Sequence, residues 1–147
     1  MALPEQITDQ YRPDITLIPL TIDYARSMFK LISSNQEFLS QHGEQTGSKY
    51  NSVEQFAQSI ENPRNSHRER YSILTHGILA GSINLTPLNE SGSVMEVGYW
   101  VGEEFARQGI ASNSARMLSD QALERKDVEK VFGFTHPENH SSRKTGL

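Results

Sequence analysis

The sequence predicts a mixed α/β (α+β) fold in one layered domain, and three observations carry that expectation. Its 147 residues suffice for one domain with a real core and are too few for two comfortable ones. Strand-like and helix-like periodicities alternate in the order β-α-α-β-β-β-α-β-α, which suits strands and helices packed in layers. No internal repeat, low-complexity tract or interdomain linker breaks the chain. Residues 1–147 therefore read as a single unit.

Residues 1–13 form a polar, proline-bearing, loose lead-in with no signal-peptide pattern. DITLIPLT (14–21) alternates Ile15, Leu17 and, past Pro19, Leu20. That suits a first strand near a sheet edge, because Pro19 cannot donate a ladder bond. Thr21 or Asp23 is placed to cap the next helix, whose Ala25, Met28, Phe29 and Ile32 share one face. The helix continues past Asn35 into a second piece, EFLSQH. Residues 43–52 are turn-rich. SVEQFAQSIEN (52–62) is a helix opened by Ser52, with Gln55 three residues on as in a capping box, and Val53, Phe56, Ala57 and Ile60 as its stripe. Pro63 stops it.

RYSILTHG and ILAGSINLTPLN (70–89) read as a hairpin turning near His76-Gly77. SVMEVGYWVG (93–102) is the next strand. From Gly109 to about Arg125 the pattern is helical, with Ala111, Ala115, Leu118 and Ala122 on one face. VEKVFGFTH (128–136) is a short strand, and Asn139, Ser141 or Ser142 is suited to cap one last helical turn.

Composition narrows the function classes. The net charge is −4 and no Lys/Arg block stands out, which argues against direct nucleic-acid binding. The chain has no cysteine, so thiolate chemistry, disulfides and Cys-ligated zinc are unavailable, and its five histidines show no HExxH-type spacing, so no metal is expected. No apolar run approaches the roughly 20 residues that a membrane span needs. A cytoplasmic protein without a membrane partner is expected.

The stretch EVGYWVGEEFARQGIAS (96–112) carries the functional signal. It runs a strand into a glycine-bearing loop and then a helix. The first N–H groups of a helix lack partners within it, and the macrodipole adds positive charge, so phosphate is a natural occupant. Here the N–H groups of Gln108, Gly109, Ile110 and Ala111, the charge of Arg107 and the hydroxyl of Ser112 suit a diphosphate. A plain strand–turn–helix bend, eased by Gly109, is the competing reading. Neither a Walker loop nor a GxGxxG fingerprint is present.

This segment, with VFGFTHPENHSSRK after the helix, resembles the GNAT acetyltransferase superfamily, most closely the RimJ/RimL type that acetylates ribosomal-protein N-termini. The family's loop pattern Q/R-x-x-G-x-G/A aligns with Ala106-Arg107-Gln108-Gly109-Ile110-Ala111. Ala106 departs from the pattern, and Arg107 is positioned to substitute. The resemblance implies a central, mostly antiparallel sheet flanked by helices. It also implies that the loop holds the pyrophosphate of acetyl-CoA, the co-substrate.

The resemblance further implies that pantetheine lies between the strand ending at Trp100-Val101 and the one ending near Thr135. A backbone N–H of Trp100 or Val101 would polarise the thioester carbonyl. Glu96 is the candidate base, with an outward or ion-paired strand carboxylate as the competing reading. Asn139 and Ser142 match the family's Asn-x-x-Ser segment, where the asparagine contacts coenzyme A and the serine protonates the departing thiolate. A helix N-cap is equally natural for both. Tyr99 and Trp100 read as core residues in their side chains. Phe38, Leu39 and His42 either border the acceptor site or pack the early helices, and His136 reads as a surface residue.

Family members continue into two more strands, so the last strands are expected to be missing and the domain C-terminally incomplete, with the edge at 128–136 open to a homodimer partner. The expected function is acetyl-CoA-dependent N-acetyl transfer to a primary amine, a ribosomal-protein N-terminus or a small amine. The alternative is a non-catalytic acyl-CoA-binding module or an inactive truncated fragment.

Overall fold

Alternation along the strands sorts the apolar residues onto one sheet with two different faces. The computed structural model describes residues 6–41, 52–61 and 67–133. Five strands, β1 (Ile15–Pro19), β2 (Glu69–Thr75), β3 (Ile78–Pro87), β4 (Val94–Val101) and β5 (Lys130–Gly133), lie side by side in sequence order. The first four are antiparallel. β5 runs parallel to β4, with Met95 opposite Val131 and Val97 opposite Gly133. A parallel pair needs a crossover connection, and the helix α4 (Ile110–Leu123) supplies it.

α4 packs on the face formed by Ile15, Leu17, Tyr71, Ile73, Ile83, Leu85, Met95 and Val97, closing the main core with Ile110, Ala115, Leu118 and Ala122. Burying each such branched side chain is worth roughly 1.5–3 kcal/mol. The expected stripe of α4 is right except that Ala111 is only half-buried. On the opposite face, helices α1 (Ala25–Ser34), α2 (Gln36–Gln41) and α3 (Val53–Glu61) enclose a smaller core of Met28, Ile32, Leu39, Phe56 and Trp100. Leu39 thus packs the core, as does half-buried Phe38.

The β2–β3 hairpin turns through His76 (φ 50°) and Gly77 (φ 78°), the two successive left-handed residues that a two-residue connection matching strand twist requires. Ser52 opens α3 as expected, its Oγ accepting the Gln55 N–H at 3.2 Å. Two expectations fail. Neither Thr21 nor Asp23 caps α1: a short 3-10 turn over Ile22–Tyr24 leads into the helix, and neither Thr21 nor Tyr24 makes a side-chain cap bond. The lead-in is also not loose over its described part. Ile7 exchanges backbone bonds of 2.8 and 3.0 Å with Leu17 and is buried, so residues 7–14 dock along the outer edge of β1.

Candidate functional site

Beyond β4 the chain turns through Glu103–Phe105 and reaches α4 by way of two left-handed residues, Arg107 (φ 64°) and Gly109 (φ 76°). Left-handed backbone disfavours a residue with a Cβ, so Arg107 holds strain of about 1–2 kcal/mol that its surroundings must sustain. Gln108 bridges the turn, its Nε2 donating to the Glu104 carbonyl at 2.9 Å. Arg107 itself is exposed beside the loop.

Gly109 is the N-cap of α4 and, lacking a side chain, offers no cap of its own. Asn113 N–H is the donor that reaches the Gly109 carbonyl, at 3.0 Å. The N–H groups of Ile110, Ala111 and Ser112 therefore stand ahead of the helical ladder. A Cβ on Gly109 would lie 3.1 Å from Arg12 Nη1 and 3.3 Å from Asn113 Nδ2. The missing side chain thus makes room for a guanidinium and an amide behind the loop, as well as permitting the left-handed turn. Ser112 differs from expectation: its hydroxyl donates back to the Gly109 carbonyl at 3.3 Å, which leaves its N–H as its offering to a ligand.

Backbone direction separates the two expected donors on β4. Val94 C=O accepts from Leu88 and Gly102 N–H donates to Ala80, both towards β3, whereas Ser93 C=O accepts from Glu129 and Lys130 towards β5. Backbone groups alternate sides along a strand. Even-numbered residues through Trp100 therefore address β3, and odd-numbered ones through Val101 address the β5 side. The Trp100 N–H thus faces β3, and its ring is buried under α1 and α3. Val101 N–H points to the β5 side, four residues past the last described β4–β5 pair, Val97–Gly133.

Glu96, Gly98 and Trp100 share the face covered by α1 and α3, opposite Thr86, Asn84 and Ser82 of β3. Among the described residues nothing lies within 4 Å of where a Gly98 Cβ would stand, so open space separates Glu96 from Trp100. At about 3.4 Å per residue, Glu96 lies roughly 14 Å along the strand from Trp100. It reaches a group at the end of β4 only through the length of an acceptor or a chain of waters.

The structure brings Val101, Arg107, Gln108, Gly109, Ile110, Ala111 and Ser112 together at one junction, with Glu96 further along the sheet. Asn139, Ser142, His42 and His136 lie outside the described residues. Sequence reasoning missed Arg12 and Asn35. Arg12 Nη1 donates to the Gln108 carbonyl at 3.0 Å, and its Nε and Nη2 grip Asp14 at 2.9 Å each. The Arg12 guanidinium holds the Asp14 carboxyl well below the usual carboxylate range. No local pattern announces a contact across 96 positions. A separate concavity lined by His67, Glu69, Asn89, Met95 and Arg125 sits at the opposite end of the sheet, away from this junction.

The strand order, the parallel β4–β5 pair and the left-handed glycine between β4 and α4 define an α+β domain organised around a strand–loop–helix junction. The chain belongs to the GNAT acetyltransferase family, whose acetyltransferase (GNAT) domain model matches residues 14–145. It is 32% identical over 71 residues to YdaF of Bacillus subtilis strain 168, named as a candidate ribosomal N-acetyltransferase. That match takes in 48% of this chain and 39% of that protein's length. Among solved structures it resembles RimL, a ribosomal L7/L12 alpha-N-protein acetyltransferase in complex with coenzyme A. There the TM-score is 0.83 at 19% identity, over 96% of this chain and 80% of that one. The microcin C7 self-immunity acetyltransferase MccE, in complex with acetyl-CoA and AMP, gives a TM-score of 0.79 at 19% identity, over 97% and 80% of the two chains. At such identities the structural likeness establishes the fold. Among the described residues, no helix is long and apolar enough to cross a membrane.

Proposed function

We propose that this chain is an acetyl-CoA-dependent N-acetyltransferase whose acceptor is a primary amine, foremost the α-amine of a protein N-terminus such as that of a ribosomal protein. The observation that carries the reading is the α4 N-terminus. A left-handed glycine without a cap opens the helix at the end of β4, with three N–H groups ahead of its ladder. The dipole and those donors suit the pyrophosphate. Arg107, exposed beside the loop, adds a formal charge. Membership in the family and the coenzyme A or acetyl-CoA named with RimL and MccE support the same ligand.

Acetyl-CoA supplies an acetyl group activated as a thioester. Val101 N–H is the donor placed to polarise the thioester carbonyl as negative charge grows on its oxygen, in the manner of an oxyanion hole. The acceptor nitrogen must be neutral to attack. An α-amine of pKa about 8 is roughly one-tenth neutral at pH 7, whereas a lysine of pKa about 10.4 is neutral in roughly one molecule of 2,500. The α-amine therefore needs far less help, which favours an N-terminus over a lysine. Glu96, on the same face as Gly98, takes the proton that the ammonium must lose, through a chain of waters along the strand. The amine nitrogen bonds the carbonyl carbon, the carbon–sulfur bond breaks, the nitrogen sheds its second proton, which restores the general acid, and the thiolate leaves with the acid's proton. The resemblance assigns that proton to Ser142 and a coenzyme A contact to Asn139.

The test is mass-spectrometric. The full chain is incubated with acetyl-CoA and two peptides, one with a free N-terminus and no lysine, the other N-terminally blocked with one lysine. A gain of one acetyl group on the first peptide, reduced at least tenfold by Glu96→Gln or Ser142→Ala, supports the reading. Coenzyme A binding without transfer to any amine would make the chain an acyl-CoA-binding module instead.

A further inference from the structure

The segment before β1 carries no motif, yet it reaches the loop that opens α4. Asp9 Oδ1 accepts the N–H groups of Tyr11 and Arg12 at 3.1 and 2.9 Å, making a tight turn on the outer edge of the sheet. From that turn the Arg12 guanidinium extends in two directions. Nε and Nη2 hold Asp14 in a two-point grip, and Asp14 Oδ2 also accepts the Thr75 hydroxyl of β2 at 3.1 Å. Nη1 reaches the Gln108 carbonyl, 3.0 Å away. Arg116 of α4 adds a second connection. It pairs with Asp9, stacks its guanidinium 5.6 Å from the Tyr11 ring and donates to Asn113 Oδ1 at 3.0 Å. Asn113 in turn donates from Nδ2 to the Gly109 carbonyl at 2.7 Å.

Both carbonyls that flank Gly109 are thus held by side-chain donors. In a planar trans peptide the C=O and the following N–H point in opposite directions. Holding the Gln108 oxygen towards Arg12 therefore turns the Gly109 N–H away from Arg12. Holding the Gly109 oxygen into α4 likewise turns the Ile110 N–H out of the helix. The lock matters because glycine has little intrinsic preference among backbone states. Without it, the Gln108–Gly109 peptide is free to rotate and present a carbonyl oxygen, which repels an anion, where an N–H belongs.

We propose that Arg12 is a positioning residue for the phosphate-bearing part of the acyl-CoA, acting through the Gln108–Gly109 peptide. The inference rests on the acetyl-CoA reading above and extends it to a residue nearly a hundred positions from the loop. Arg12 fits this role better than that of a plain surface cation. Its charge is already matched by Asp14, and its fork is spent on two fixed acceptors. Lysine, with one ammonium on a flexible stem, cannot hold both.

The test compares two ligands on the full chain: coenzyme A, which carries the phosphates, and S-acetylpantetheine, which does not. Binding is followed by calorimetry for the first and by NMR titration for the second. Arg12→Ala is expected to weaken coenzyme A about tenfold, the size of one well-made hydrogen bond, and to leave S-acetylpantetheine unchanged. Arg12→Lys, which keeps the charge, is expected to weaken coenzyme A at least threefold. Should Arg12→Ala fail to fold, Arg12→Lys and Arg12→Gln carry the same comparison.

Coenzyme A affinity equal to the parent's in Arg12→Ala overturns the proposal. So does an equal loss for both ligands, which is a merely structural effect, and so does full rescue by Arg12→Lys, which is charge alone. Gly109→Asp separates this from the underlying reading, because it places a carboxylate in the loop itself. If Gly109→Asp abolishes coenzyme A binding while Arg12→Ala does not weaken it, the acetyl-CoA reading stands and the role of Arg12 falls. If the parent binds no coenzyme A, both fall together.

Discussion

Asn35 accepts the N–H of Glu103 on its Oδ1 at 2.7 Å, and so fastens the break between α1 and α2 to the turn that follows β4. Its Nδ2 simultaneously donates to the Leu31 carbonyl at 2.8 Å, which fixes the direction of the amide. A Cβ on Gly102 would stand 3.2 Å from Asn35 Nδ2 and from Leu31 Cδ1, so helix and turn meet closely there. The break between α1 and α2 and the loop leading to α4 are therefore fastened together. Asn35→Ala removes both bonds and is expected to cost about 1 kcal/mol, a fall in Tm of roughly 2–4 °C. Asn35→Asp keeps the acceptor and is expected to recover part of that loss. Thermal unfolding of the two variants beside the parent checks the ordering.

Two glycines on neighbouring strands are expected to respond in opposite ways. A Cβ on Gly81 of β3 would lie 2.1 Å from the Trp100 carbonyl oxygen and 2.8 Å from Val101 Cα. Both are backbone atoms and cannot swing aside. Gly81→Ala is expected to lose at least about 3 kcal/mol by forcing β3 and β4 apart. Gly98→Ala meets nothing within 4 Å and is expected to leave stability unchanged or raise it by up to about 1 kcal/mol. Its methyl group fills the space between Glu96 and Trp100, so the KM for an amine acceptor is expected to rise several-fold in a variant of unimpaired stability. Urea unfolding and acceptor kinetics on the same preparations read both effects.

The alkaline limit of stability is expected to trace to Tyr71. Burial pushes its phenol up to about 12, with the Glu69 charge adding to the shift. Its ordinary value is about 10. The folded chain therefore favours the neutral phenol more than the unfolded chain does. The resulting stabilisation is complete below about pH 10 and declines as pH rises towards about 12, by on the order of 2 kcal/mol. Tyr71→Phe has no proton to lose and is expected to show a shallower decline over that window, measured by urea unfolding at successive pH values.

Local chemistry made much of the architecture legible. His76-Gly77 announced its hairpin because left-handed residues concentrate in such turns. Ser52 announced α3, and the strand-forming Val94, Val97, Tyr99 and Trp100 announced β4. The glycine at 109 was legible as the junction between strand and helix, though not its left-handed backbone. What could not be read depends on distant partners or on backbone direction. The docking of Arg12 onto Gln108 and of Asn35 onto Glu103 joins residues 96 and 68 positions apart. Nothing in either neighbourhood encodes its partner. Which of Trp100 and Val101 turns its N–H away from β3 depends on the pairing register, which the sequence does not reveal. Ser112 reads from the sequence as offering its hydroxyl to a diphosphate, yet here that hydroxyl turns back onto the Gly109 carbonyl.

The acetyl-CoA reading requires that the N-terminus of α4 receive the phosphates. The most direct measurement is an amide-resolved NMR titration of the full chain with acetyl-CoA. The largest shifts are expected on the amides of Gly109, Ile110, Ala111 and Ser112, with Val101 next, and Gly109→Asp is expected to abolish them. Shifts centred instead on His67, Asn89 and Arg125, at the far end of the sheet, or no shifts at all, would contradict it.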